Sequence, residues 1–141
     1  MILPDLAATE ALAARLARLA RRGDALLLSG PLGAGKSAFA RAFLRALAQD
    51  PALEVPSPSY TLVQSYRLPG GGQAHHFDLY RLSGPGDVLE LGWFEALEEI
   101  VVVEWPERLG GEVPSGALQI ALSPIDDDAR QVAITGWEGR L

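Results

Sequence analysis

The chain has 141 residues, of which 48% are hydrophobic and 21% are charged, and we expect one globular domain over residues 1–141. Its 12 basic and 18 acidic residues give a formal charge of −6, which disfavours DNA binding and direct binding of nucleic acid through phosphates. Cysteine is absent, which excludes disulfides and thiolate metal sites. Without a secretory signal or an apolar run of about 20 residues, we predict a cytoplasmic protein with no membrane contact.

The first half of the chain predicts a helix, a buried strand, a glycine-rich loop and a second helix. Leucines recur at helical spacing over residues 5–22. The apolar run Ala25–Ser29 is typical of a buried parallel strand. A loop over residues 30–37 leads into a helix over residues 37–49, and the prolines of residues 51–59 predict a further loop.

The second half predicts mostly strands. Residues 60–68 and 74–80 are joined by a proline and three glycines, which indicates a hairpin, and short helical turns are expected over 83–97. The β-branched run 100–103 predicts a buried strand, and two late strands are expected at 118–122 and 131–135, around the acidic turn 126–128. Together these elements predict an α/β fold with a mainly parallel central sheet, an antiparallel portion and flanking helices.

Residues 30–37, GPLGAGKS, match the phosphate-binding pattern G-x-x-x-x-G-K-[ST] at every fixed position. A chance match somewhere in a chain of this composition arises about 1% of the time. Glycines let backbone N–H groups approach a phosphate, and the N-terminus of the following helix adds positive charge. Lys36, the only lysine, would reach the β- and γ-phosphates, while the Ser37 hydroxyl would ligate Mg²⁺. The alternative, a glycine-rich turn with a surface lysine, is disfavoured because a strand precedes the loop and a helix follows it.

In addition to the Ser37 hydroxyl, a carboxylate on the Mg²⁺ side of such a site is expected at the end of a buried strand. Asp78 and Glu104 both qualify, and the pattern alone does not distinguish them from each other or from acids that pair with an arginine or cap a turn. His75 and His76 would point to opposite faces of a strand, so we expect one packed and one solvated ring rather than a metal pair. Trp105 directly follows Glu104 and would lie near the site.

Several collinear segments carry a more specific signal. They are residues 3–5 with Thr9, and residues 33–37, 57–63, 76–82, 90–92 and 103–107. Among them the stretches HFDLYRL (76–82) and VEWPE (103–107) are the most specific. Together the segments resemble the TsaE (YjeE) family, small bacterial P-loop ATPases required for making threonylcarbamoyladenosine in tRNA.

The resemblance implies a P-loop NTPase-like fold and a set of residue roles. It implies that ATP is bound near its nucleoside by Thr9 and along its phosphates by Gly33, Ala34, Gly35, Lys36, Ser37 and Ala38. It implies that Ser37 and Glu104 ligate Mg²⁺. It also implies catalytic roles for Lys36 and for Asp78, which resembles an acid needed for hydrolysis. Residues 57–61 resemble a nucleotide-responsive switch. Pro31 departs from the family, which usually has an acid there, and removes one backbone donor at the edge of the loop.

The resemblance also implies partners, TsaB and TsaD, with tRNA met only indirectly. No arginine finger is evident, Arg81 being the nearest candidate, so we predict weak ATPase activity that partners stimulate. Two alternatives remain open. A P-loop small-molecule kinase would need an arginine-bearing lid, which residues 83–97 lack, and a nucleotide-gated binding module would have negligible turnover. A GTPase is disfavoured because its guanine-reading motif needs a second lysine.

Overall fold

The structure, a computed structural model, describes residues 1–141 apart from the side chain of residue 85. Its strands are β1 (Ile2–Leu3), β2 (Ala25–Ser29), β3 (Val63–Arg67), β4 (Gln73–Asp78), β5 (Ile100–Glu104), β6 (Leu118–Pro124) and β7 (Arg130–Thr135). Its helices are α1 (Leu6–Leu19), α2 (Lys36–Ala48) and α3 (Trp93–Ala96), with 3-10 helices at Pro85–Leu91 and Pro106–Glu112. None of these helices combines the length and hydrophobicity that crossing a membrane requires.

All seven strands form one sheet in the order β1-β7-β6-β2-β5-β4-β3. The four central strands, β6, β2, β5 and β4, run parallel to one another. Both edges are antiparallel, with β3 on β4 at one side and β7 and β1 added to β6 at the other. The predicted fold class is confirmed, and the second antiparallel edge follows from the short turn between β6 and β7, because a tight connection permits only antiparallel pairing.

The sheet separates two apolar layers. Helices α1 and α2 cover one face, where Phe39 and Phe43 pack against side chains such as Leu26 and Leu28. The other face is covered by the 3-10 helices and α3, with Trp93 at its centre. Strands β2 and β5 are buried on both faces. That double burial is the physical reason for their unbroken apolar sequences.

Local sequence signals account for the ends of the two long helices. Asp5 caps α1 by accepting a hydrogen bond from the Ala8 N–H at 2.9 Å. Helix α1 ends at Leu19, three residues before the predicted limit of residue 22. Helix α2 begins at Lys36, directly after Gly35 with φ 97°, and ends where Gln49 adopts a left-handed conformation. The two helices therefore match their predictions to within a few residues.

Three parts of the fold differ from the prediction. The strand predicted over 60–68 begins only at Val63, because Leu62 adopts φ 70° and donates its N–H to the Pro58 carbonyl at 2.7 Å. The two-residue strand β1 and the 3-10 helix Pro106–Glu112 were not predicted. Strand β1 depends on its pairing with the distant strand β7, and the 3-10 helix follows a left-handed turn at Trp105 with φ 60°. Neither feature produces a periodic pattern in the sequence.

Candidate functional site

The glycine-rich loop lies at the carboxyl end of β2 and leads directly into α2. Gly30, Gly33 and Gly35 have φ values of 142°, 80° and 97°, a region that disfavours side chains. A Cβ at Gly30 would come within 3.0 Å of the backbone carbonyl oxygen of Leu122. The loop thus packs against β6, and it brings the N-terminal end of the 13-residue helix α2 to the carboxyl ends of the parallel strands.

Lys36 is the first residue of α2 and is only 5% exposed. Its Nζ donates hydrogen bonds to the carbonyl oxygens of Gly30 and, at 3.3 Å, Pro31. The same ammonium lies 3.5 Å from the centroid of the Trp105 ring, a cation–π contact. Burial lowers the pKa of Lys36, and nearby carboxylates, chiefly that of Glu104, oppose the shift. The cation is therefore held beside the loop by fixed partners rather than being free in solvent.

The carboxylate of Glu104 joins two neighbouring elements. Its Oε1 accepts a hydrogen bond from the Ser37 hydroxyl at 2.9 Å. Its Oε2 lies 2.6 Å from Nε2 of His76, and both of these side chains are 2% exposed. The chain of contacts connects the start of α2 through the end of β5 to the middle of β4. Ser37 and Glu104 thus meet, although 67 positions separate them in sequence.

Asp78 ends β4 directly beside Glu104, its register partner on β5. Its Oδ1 accepts a hydrogen bond from the Tyr80 N–H at 3.1 Å. Its Oδ2 receives long, weak hydrogen bonds from the hydroxyls of Ser57 at 3.5 Å and Ser59 at 3.4 Å. The segment predicted to act as a switch therefore lies against this carboxylate, attached only by weak bonds.

These groups surround a single cavity of about 340 Å³. It is lined by residues 32–38 and by Ser57, Ser59, Asp78, Tyr80, Glu104 and Trp105. A smaller cavity of about 100 Å³ shares Ala34, Gly35 and Ala38 with the first and contains Thr9 and Arg130. The structure therefore brings all of the predicted site residues together except Thr9, which lies in the adjoining cavity.

The oxygens of Ser37 and Glu104 are the hard ligands that Mg²⁺ prefers. Within the part of the chain that the structure describes, no cluster of three or more His, Cys, Asp or Glu side chains could enclose a metal ion. Mg²⁺ in sites of this kind takes one or two protein oxygens and completes its shell with phosphates and water. The Ser37–Glu104 pair fits an ion held in that way beside a bound phosphate chain.

Sequence reasoning missed two residues that support the site. One packed and one solvated histidine were expected, and His76 is the packed ring. Its hydrogen bond to Glu104 was not expected, nor was the bond of His75 to Ser65 at 2.7 Å. Arg130 donates its Nε–H to the Ala34 carbonyl at 3.0 Å and so braces the loop from β7. His76 lies two residues before Asp78 and therefore on the same face of the strand, which was the available signal for it. No local signal marked Arg130, which is 96 positions from Ala34.

Arg81, the arginine nearest in sequence to the site, does not line the cavity. Its guanidinium lies 4.5 Å from the centroid of the exposed Tyr60 ring. None of the described residues that line the larger cavity is an arginine. Lys36 is thus the only cationic side chain among those lining residues.

In the mainly parallel sheet, the central strand passes through a glycine loop into a helix, and a lysine and a strand-end carboxylate face one cavity. This arrangement defines the P-loop class of nucleotide-binding proteins. The family model described as "Threonylcarbamoyl adenosine biosynthesis protein TsaE" matches residues 3–132. The chain therefore belongs to the TsaE family, which confirms the resemblance inferred from sequence.

Individual relatives agree with this assignment. The tRNA threonylcarbamoyladenosine biosynthesis protein TsaE of Rickettsia felis is 32% identical over 135 residues, covering 95% of this chain and 78% of the relative. The protein of the same name from Bacillus subtilis is 32% identical over 132 residues, covering 94% and 82% respectively. The crystal structure of Bacillus subtilis YdiB matches with a TM-score of 0.76 and 28% identity, over 99% of this chain and 86% of that one.

Proposed function

We propose that this chain is the ATP-binding and ATP-hydrolysing subunit of the machinery that makes threonylcarbamoyladenosine in tRNA. In this proposal it requires Mg²⁺ and is activated by partner proteins of the TsaB and TsaD type. The observation that carries the proposal is the single cavity on which Lys36, the loop amides, Ser37, Asp78 and Glu104 converge. Membership of the family supports the role in tRNA modification, and the residues that line the cavity support ATP binding and hydrolysis.

Phosphate binding rests on the loop and on Lys36. Glycines with positive φ expose backbone N–H groups, and the N-terminus of α2 favours negative charge. The triphosphate would occupy the larger cavity, with the nucleoside extending past Ala34 and Gly35 toward the smaller cavity that contains Thr9. Lys36 would neutralise charge on the β- and γ-phosphates because its ammonium is already held at the loop.

Ser37 and Glu104 would hold Mg²⁺, which when bound neutralises phosphate charge and fixes the geometry of the phosphate chain. Their 2.9 Å contact keeps the hydroxyl and the carboxylate on the same side of the cavity. Asp78 would orient the attacking water, because its carboxylate lines the same cavity and is only 5% exposed. Its weak bonds to Ser57 and Ser59 would let residues 57–61 respond to a bound nucleotide.

The isolated chain would turn ATP over slowly. Phosphoryl transfer depends on positioned positive charge, and an arginine that reaches the transferring phosphate typically accelerates it by about 10³–10⁵-fold. Lys36 is the only such cation among the described cavity-lining residues, since Arg81 lies against Tyr60. Partners would therefore stimulate turnover by ordering the site or by supplying charge.

The test is ATP turnover, measured as free phosphate, with and without TsaB- and TsaD-type proteins. We expect Lys36→Ala and Glu104→Ala to abolish the stimulated turnover while retaining the fold, and the exposed-carboxylate control Glu98→Ala to behave as wild type. Partner-stimulated turnover in Lys36→Ala would refute the role of Lys36. Turnover of tens per second by the chain alone would refute partner activation.

Two further outcomes would favour the alternatives. Transfer of phosphate to an added metabolite, rather than its release, would indicate a small-molecule kinase. An Asp78→Ala variant that binds ATP, assembles with the partners and supports tRNA modification as well as wild type would indicate a nucleotide-gated binding module.

A further inference from the structure

His76 is a buried polar side chain with no role in the mechanism proposed above. It is 1% exposed, and its one hydrogen bond joins Nε2 to Oε2 of Glu104 at 2.6 Å. Its other ring nitrogen, Nδ1, is buried and has no hydrogen-bond partner. An N–H at Nδ1 would be a buried donor without an acceptor, so the ring is suited to carry its proton on Nε2 and donate it to Glu104.

Packing alone does not explain a histidine at this position. A buried imidazole with one unpartnered nitrogen costs free energy that an aliphatic side chain of similar size would not. Two of its buried neighbours on β4, Ala74 and Phe77, are apolar. The compensation for His76 is its contact with Glu104, the carboxylate that also accepts the Ser37 hydroxyl. The side chain is therefore better explained by what it does to that carboxylate.

We propose that His76 is a positioning residue that fixes the orientation of the Glu104 carboxylate for the metal ion, an inference that rests on the proposed function. With Oε2 bound to His76 and Oε1 bound to Ser37, the carboxylate plane is held from both sides. Without His76, Oε2 loses its donor inside a buried environment, and the carboxylate can rotate away from Ser37. Second partners of metal ligands typically contribute about 10–100-fold in metal affinity.

The test measures how strongly Mg²⁺ promotes binding of a fluorescent non-hydrolysable ATP analogue. The analogue is titrated in EDTA and at a series of free Mg²⁺ concentrations, and thermal melting reports the fold. His76→Leu keeps the volume but removes the donor. His76→Gln keeps an N–H donor close to the position of Nε2, whereas His76→Asn is too short to reach. His75→Leu, on the opposite strand face and outside the cavity, is the matched control.

We expect His76→Leu and His76→Asn to raise the half-saturating Mg²⁺ concentration about tenfold or more, with binding in EDTA within about twofold of wild type. His76→Gln should recover most of the loss, and His75→Leu should match wild type. If His76→Leu does not fold, the comparison of the Gln and Asn variants decides the question. Equal Mg²⁺ requirements in those two variants, failure of both to fold, or equal weakening in EDTA and in Mg²⁺ would each overturn the inference.

The two proposals fail in different ways. A wild-type chain that binds no analogue, or binds it equally in EDTA and in Mg²⁺, contradicts the proposed nucleotide and metal site itself. A wild-type chain that depends on Mg²⁺, with His76 variants that respond to Mg²⁺ as wild type does, contradicts only the role of His76.

Discussion

Gly30 is the point where the phosphate loop is pressed against the sheet, and replacing it tests whether that seating is rigid. A Cβ at Gly30 would come within 3.0 Å of the Leu122 carbonyl oxygen, and the backbone there has φ 142°. A side chain in this region costs about 1–3 kcal/mol, and overpacking against a fixed neighbour costs about another 1–3 kcal/mol. We therefore expect Gly30→Ala to lower the free energy of unfolding by about 2–6 kcal/mol, the sum of these two costs.

Gly33 offers a matched control within the same loop. It has φ 80°, but no atom lies within 4 Å of the position that a Cβ would take. Gly33→Ala should therefore cost only the conformational term, about 1–2 kcal/mol. The assay is urea unfolding followed by circular dichroism, and we expect the free energies of unfolding of the two variants to differ by about 2 kcal/mol. In thermal unfolding the same difference corresponds to roughly 6 °C in melting temperature. Equal losses would show that β6 yields easily and that the Leu122 contact does not fix the loop.

Three further perturbations test other parts of the molecule. Lys36→Arg should lose ATP binding at least tenfold by titration, because the planar guanidinium does not fit between the Trp105 ring and the loop carbonyls. Phe39→Ala should cost about 3–5 kcal/mol in urea unfolding, because Phe39 is fully buried, whereas Phe94→Ala, at an exposed ring, should cost little. Backbone N–H groups hold the pKa of Asp126 below its ordinary value, so its stabilisation is present above about pH 4 and lost on acidification. The melting-temperature difference between Asp126→Ala and wild type should therefore shrink as the pH falls below 4, and a constant difference would contradict this.

The residues of the loop itself were predictable because their chemistry is local. A glycine pattern followed by lysine and serine specifies the backbone turn, the cation and the hydroxyl within eight positions, and an apolar strand and a helix on either side complete the unit. Apart from the short strand β1 and the 3-10 helix Pro106–Glu112, the order of helices and strands followed equally from periodicity and turn residues. The start of β3 was misjudged because Leu62 takes a left-handed turn that its side chain gives no reason to expect.

Local residue patterns were enough to define the strand–loop–helix unit and the α/β class, and they left Asp78 and Glu104 as two candidate carboxylates. The assembled sheet places β5 between β2 and β4, so that both carboxylates lie at the carboxyl ends of neighbouring parallel strands and Ser37 lies against Glu104. The same strand order brings His76 on β4 into contact with Glu104 on the neighbouring strand β5. Pairing between parallel strands depends on the packing of helices and connections far apart in the chain, and no local pattern of residues encodes such a partnership.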